Sequence, residues 1–172
     1  MGREEAECVT KNRVVLGLGS NLGARGNTIT RAISAITAWQ NVILVAQSFV
    51  YETPPAGGPP QPNYWNAAVL LLTSNDLPTL LEWALELEVT LGRVRPDPVR
   101  WGPRTIDIDI LWAEKRVLQE PWLEIPHPRL IERVFALRPL LDVVPDAKDP
   151  RTGELYADLP TANLHIVRID SH

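Results

Sequence analysis

The chain has 172 residues, 45% hydrophobic and 22% charged, enough for one domain with its own core and no need of disulfide or metal staples. Seventeen basic against twenty-one acidic residues leave a net charge of −4, which excludes wholesale wrapping of nucleic acid. No apolar run approaches the roughly 20 residues of a membrane-spanning helix, the one cysteine, Cys8, excludes an internal disulfide, and the acidic opening MGREEAECVTKN has no signal-peptide core, so a soluble cytoplasmic protein with neither nucleic acid nor membrane as partner is expected.

In chain order, RVVLGLG (13–19) predicts a buried strand, β-branched and closed by glycines. GNTITRAISAITAW (26–39) sets Ile29, Ala32, Ile33 and Ile36 at helical spacing, with Asn27 as the expected N-cap. NVILVAQSFVYET (41–53) and YWNAAVLLLTS (64–74) predict two strands; the PPAGGPPQPN between them can continue neither and is either a lid or a plain exposed linker. DLPTLLEWALELEVTLG (76–92) predicts a helix with Asp76 as N-cap, Pro78 in the first turn and Gly92 as the stop. Its expected apolar stripe runs Leu77, Leu81, Ala84, Leu85, Leu91, and at about 100° per residue Glu88 falls near the middle of it. A carboxylate there needs a partner, with Arg93 and Arg95 at hand, or a ligand. TIDIDILW (105–112) is the fourth strong strand, followed by a turn, a short strand RVL (116–118) and a helix over 128–144 broken near Pro139. The order β-α-β-β-α-β predicts an α+β, ferredoxin-like fold: helices packed on an antiparallel sheet, with a C-terminal helical or hairpin extension. Residues 13–172 are expected to form the single domain and residues 1–12 a flexible extension.

In a strand, side chains two apart share a face, so Asp107 and Asp109 project together, about 7 Å apart at the backbone, while Ile106, Ile108 and Ile110 fill the other face. Two such carboxylates repel unless a cation lies between them, and hard oxygen ligands select Mg²⁺, which also takes water and phosphates. Alone the pair could be nothing more than exposed strand aspartates. Arg93, Arg95, Arg100 and Arg104 nearby supply guanidinium forks for phosphate oxygens, and together metal and arginines favour an ATP-like substrate. No G-x-x-x-x-G-K-[ST] is present, and GLGSNLG misses the dinucleotide glycine spacing by one residue, so it reads as a strand-to-helix turn. His127, between two prolines, has no companion at zinc spacing and suits a phosphate or sugar contact better than a general base.

LGSNLG, YETPP, PNYWNAAV, LGRVR, RWGPRTIDIDIL, IPHPR and ERVFALRPL, in this order from about Arg13 to Pro145, resemble the 6-hydroxymethyl-7,8-dihydropterin pyrophosphokinase family, with W-G-P-R-T-x-D-x-D the most specific element. The resemblance implies transfer of the terminal diphosphate of ATP to a pterin alcohol, in folate biosynthesis, by a monomer whose Asp107 and Asp109 bind two Mg²⁺ ions. It further implies that Arg93, Arg95, Arg100 and Arg104 hold phosphates or close over them, that Glu88, His127 and Arg133 contact ATP, and that the backbone at Ile110 reads the adenine. The pterin would lie between Tyr64 and Phe135, with Asn66, the Thr53 region and the backbone near Ala56 on its polar edge. Trp101 would ride on a closing loop, about 93–104, and the proline-rich segment would act as a second lid. PDPV (96–99), residues 1–12 and the tail after about 146 fall outside the family's pattern and are expected to touch no motif residue.

Two other readings remain open at this point. A nucleotidyltransferase also combines a Gly-Ser turn with metal-binding strand aspartates, though here Gly19-Ser20 lies far upstream of Asp107. A non-catalytic ferredoxin-like module would use the same acids and arginines as a solvated ion-pair network.

Overall fold

The computed structural model describes residues 10–170; residues 1–9, most of the expected extension and Cys8 with it, and residues 171–172 lie outside the described residues. The chain runs β1 (Asn12–Ser20), α1 (Arg25–Thr37), β2 (Val42–Gln47), β3 (Val50–Thr53), β4 (Tyr64–Thr73), α2 (Leu77–Thr90), β5 (Asp107–Ala113), the hairpin β6 (Leu118–Glu120) and β7 (Leu123–Ile125), α3 (Val134–Val143) and β8 (Val167–Ile169). Six strands form one antiparallel sheet in the order β5-β1-β4-β3-β8, with β2 also pairing β4. This is the α+β, ferredoxin-like arrangement that the element order predicts.

The sheet divides two cores. On one face Leu16, Leu18, Val69, Leu71, Ile108 and Ile110 meet Ile29, Ala32 and Ile36 of α1 and Leu80, Ala84 and Leu87 of α2. On the other, Val15, Leu70, Leu111 and Trp112 lie under Leu137, Leu140 and Val143 of α3 and beside Tyr156 of the tail. β1 and β4 therefore need apolar side chains on both faces, which is why they read as continuous hydrophobic runs. No helix among the described residues is long and apolar enough to cross a membrane.

Several local expectations change. The strand predicted over 41–53 is two strands, because Ser48 interrupts it: its hydroxyl accepts a hydrogen bond from the Ala68 N–H at 2.8 Å and its own N–H donates to the Ala68 carbonyl at 2.9 Å. α1 begins earlier than expected, with Ala24 and not Asn27 at the N-cap, because the left-handed Gly23 (φ 63°) ends the preceding turn there. In α2 the Asp76 carboxylate does cap the Thr79 N–H at 2.8 Å. The buried stripe, however, is Leu80, Ala84, Leu87 and Glu88, and Leu85 is exposed. Apolar residues surround this helix, so periodicity alone does not single out the face that docks. A 3-10 turn at Leu130–Glu132 precedes α3, which contains Pro139 without ending there; the proline takes away only the donor for the Phe135 carbonyl. The short strand expected at 116–118 lies at Leu118–Glu120 and forms a hairpin with β7, while β8 adds a strand at the edge beside β3 that the sequence pattern does not predict.

α3 covers only part of the second face. Beyond it, the β1 register sets Gly17 between Asp109 and Ala68, and Gly19 between Asp107 and Asn66. A strip of sheet floored by glycines and flanked by carboxylates is thus left open.

Candidate active site

Asp107 and Asp109 stand on that open face at the start of β5, with Ile106, Ile108 and Ile110 buried behind them. The Asp107 carboxylate accepts hydrogen bonds from Arg93 Nη1 at 2.6 Å and from Arg104 Nη1 at 2.9 Å. Arg93 also donates through Nε and Nη2 to both Asp97 oxygens, at 3.2 and 3.1 Å, and Asp97 lies 3.0 Å from Arg104 Nη2. Burial works against the Arg93 charge, but Asp97, Asp107 and Glu88 together hold its pKa above the ordinary value, and Arg93 in turn holds Asp97 below the usual carboxylate range.

Glu88 is 1% exposed. It accepts from the Ile108 N–H at 2.7 Å, lies 3.0 Å from Arg93 Nη1 and bonds Arg95 Nη2. Burial raises its pKa against the opposing pull of Arg95, the Ile108 amide and Arg93. The ion pair open to it in the sequence is formed, with both arginines.

Above the glycine strip is a cavity of about 610 Å³, within the usual span for small-molecule sites. Tyr64 and Phe135 face into it, as do Thr53 and Asn66, whose side chains share a hydrogen bond at 2.8 Å. Ala56 and Trp101 line it from the two loops, and Arg100, Arg104 and Arg133 supply positive charge beside Asp107 and Asp109. The loops touch each other: Gln61 Nε2 donates to the Trp101 carbonyl at 2.8 Å, and Gly58 packs so closely that a Cβ there would stand 2.3 Å from that same oxygen. Asn21 ties both to the core, donating to Gln61 Oε1 at 2.9 Å and the Pro62 carbonyl at 3.0 Å while accepting from the Arg104 N–H at 2.8 Å.

Glu88, Arg93, Arg95, Ile110 and His127 do not line the cavity. Ile110 lies in the core, but its backbone belongs to β5, an edge strand of the large sheet. His127 donates its backbone N–H to the Leu111 carbonyl and accepts the Arg129 N–H on Nδ1; burial, then nearby Arg133, lower its pKa. The expectation that PDPV and the tail touch no motif residue is overturned: Asp97 bridges Arg93 and Arg104, and β8 pairs with Val50, Tyr51 and Glu52. Sequence reasoning gave no role to Asn21, Gln61 or Asp97. Asn21 sits inside LGSNLG and could have been asked for one; nothing local distinguishes Gln61.

The donor set suits a divalent cation. Burial, then the neighbouring Asp107 and Glu88 charges, push Asp109 up to about 7, so its ionised form calls for a cation. Arg104 Nε and Arg133 Nε are buried without a hydrogen-bond partner among the described residues, as donors kept for an anion would be. Those residues contain no group of three or more His, Cys, Asp or Glu side chains close enough to hold a metal, so water and a phosphate ligand would complete the coordination sphere, as Mg²⁺ commonly requires.

Residues 15–145 match the family model described as 7,8-dihydro-6-hydroxymethylpterin-pyrophosphokinase (HPPK). The chain is 38% identical over 145 residues to the 2-amino-4-hydroxy-6-hydroxymethyldihydropteridine pyrophosphokinase of Synechocystis, covering 84% of this chain and 73% of that one. It is 42% identical over 134 residues to the protein of the same name from Methylorubrum extorquens, covering 78% and 84%. Among solved structures, an HPPK-DHPS crystallised in complex with substrates superposes with a TM-score of 0.69 at 15% identity over 90% of this chain and 43% of that one, a likeness of fold. The chain spans less than half of that longer protein. With Tyr64, Asn66, Arg104, Asp107, Asp109 and Phe135 of its motifs around one cavity and the family model spanning residues 15–145, the chain belongs to the 7,8-dihydro-6-hydroxymethylpterin-pyrophosphokinase family.

Proposed function

We propose that the chain transfers the β,γ-diphosphate of ATP to the hydroxymethyl oxygen of 6-hydroxymethyl-7,8-dihydropterin, releasing AMP, as an enzyme of folate biosynthesis. Family membership supports the reaction and ATP as co-substrate. The observation that carries its placement is the pair Asp107 and Asp109 opposite orphaned arginine donors in a cavity with an aromatic end.

In this reading Tyr64 and Phe135 hold the flat pterin between them, and Thr53 and Asn66, with the backbone near Ala56, orient its polar edge. The backbone of Ile110 receives the adenine, and Arg100, Arg104 and Arg133 take the phosphate oxygens bidentately. Asp107 and Asp109 would hold two Mg²⁺ ions, which when bound offset phosphate charge and favour the ionised form of the attacking alcohol. The pterin oxygen attacks the β-phosphorus in line, and the bond from that phosphorus to the AMP oxygen breaks. Positioning and charge compensation supply most of the rate in such a transfer. Arg93 and Arg95, paired with Glu88 at the base of the loop that carries Trp101, would hold the phosphates or close over them with that loop. That loop and the 54–63 lid exclude water that would otherwise accept the diphosphate.

Asp107→Ala and Asp109→Ala are each expected to lower AMP formation by about a thousandfold or more, the scale of losing a metal-held charge clamp. Near-normal turnover in both would refute the metal assignment. Pyrophosphate as the released product would point to nucleotidyl transfer, and an absence of Mg²⁺-dependent nucleotide binding to a non-catalytic module.

A further inference from the structure

On the face of the sheet away from the cavity, three side chains meet behind the feet of the 54–63 lid. Arg25, the first residue of α1, donates through Nη1 to Glu52 Oε1 at 3.0 Å and to the Asn63 carbonyl at 2.7 Å. Its guanidinium lies over the Trp65 indole, 4.8 Å from the ring centroid, and Trp65 Nε1 donates to the same Glu52 oxygen at 3.3 Å. Gly26 brings the helix hard against that ring: a Cβ there would stand 2.7 Å from the indole.

The position of this cluster in the chain gives it significance. Glu52 precedes Thr53, where the lid leaves β3, and Asn63 precedes Tyr64, where it enters β4; Glu52 pairs with Trp65 across the ladder, and Thr53 with Tyr64. Side chains alternate along a strand, so Glu52 and Trp65 point to the helix side while their neighbours Thr53, Tyr64 and Asn66 point into the cavity. Arg25 therefore grips both ends of the lid from behind while touching nothing inside the site. An exposed Arg–Glu pair alone would do little, but here one guanidinium group combines an ion pair, a charge-assisted bond to a backbone carbonyl and a stacked ring.

We propose that Arg25, with Glu52 and Trp65, is a positioning cluster that sets the geometry of the pterin subsite by anchoring the two feet of the lid. The inference rests on the reading of Tyr64, Thr53 and Asn66 as the pterin subsite. Losing the anchor leaves the ATP side intact and loosens only the wall formed by the lid feet, so the deficit falls on one substrate.

The test measures steady-state kinetics of AMP formation for Arg25→Ala, Arg25→Lys and Glu52→Gln, with limited proteolysis of the 54–63 loop in the absence of substrate. For Arg25→Ala, KM for the pterin is expected to rise roughly tenfold, the loss of one charge-assisted hydrogen bond, with kcat and KM for ATP nearly unchanged and the lid cut faster. Arg25→Lys, which keeps the charge but not the stacked plane, falls between, and Glu52→Gln, which keeps the acceptor, stays close to wild type. An unchanged pterin KM, or an equal rise in both KM values accompanied by a lower melting temperature, overturns the proposal, as does failure of all three variants to fold, which would make the cluster purely structural. A wild-type protein that makes no AMP, with a lid that Arg25→Ala still exposes to protease, would sink the proposed activity and leave the anchor standing.

Discussion

Asp109 and Glu88 are the carboxyls whose environments most shape the site. For Asp109 the folded pKa, about 7, lies above the ordinary aspartate value, so between the two the folded chain holds a proton that the unfolded chain has released. Its contribution to the stability of the metal-free protein is therefore unfavourable, absent at low pH, growing as pH rises through that window and complete above the folded pKa. Mg²⁺ held by this carboxylate, as proposed, would compete with the same proton. Calorimetry between pH 6 and 8 is expected to find tighter Mg²⁺ or Mg²⁺-nucleotide binding with rising pH, with proton release on binding that disappears in Asp109→Asn; pH-independent binding would contradict the assignment. Glu88 acts by support. Glu88→Ala leaves the Ile108 amide unpaired in the interior and takes one of three carboxylates from Arg93, which keeps Asp97 and Asp107, and is expected to destabilise the fold by about 1–3 kcal/mol, read by urea unfolding, whereas Glu88→Gln keeps an acceptor for the Ile108 N–H and loses less.

Gly58 has φ 84° and lies against the Trp101 carbonyl, so a side chain there is strained in its own turn and clashes only where the two loops meet. Gly58→Ala is expected to lower kcat/KM markedly while leaving the melting temperature almost unchanged; equal loss of both would mean that the contact is part of the fold and not of closure. Of the elements, β1, β4 and β5 were legible because their patterns are either strict alternation or long apolar runs, and α2 because Asp76, Pro78 and Gly92 mark its ends. The alternation in TIDIDIL gave both the core face and the acid face correctly. What escaped was set by tertiary contact: the break at Ser48 depends on Ala68, the docking face of α2 on the sheet beneath it, and β8 on the free edge of β3. The arginines were legible as a group, but their division of labour was not, since only the fold puts Arg93 behind Asp107 and leaves Arg104 and Arg133 with unused donors. Asp97 shows the limit most clearly, a loop residue without a local pattern that joins two arginines.

For the whole molecule, the sheet separates a closed core on the α1 and α2 side from an incomplete one on the α3 side. Leu111 and Ala136 belong to both the second core and the cavity wall, so the packing that stabilises the fold and the packing that receives a ligand share a boundary. Ala136→Leu is expected to fill part of the cavity, hold or raise the melting temperature, and weaken pterin binding; the reverse pattern, lost stability with intact binding, would show that the boundary is not shared in this way.

On the proposed reading, the glycine-floored strip makes the ligand a removable piece of the interior. Each turnover completes and then dismantles one layer of the molecule, and any sequence change that makes that layer permanent trades catalysis for a sturdier protein that can no longer be opened.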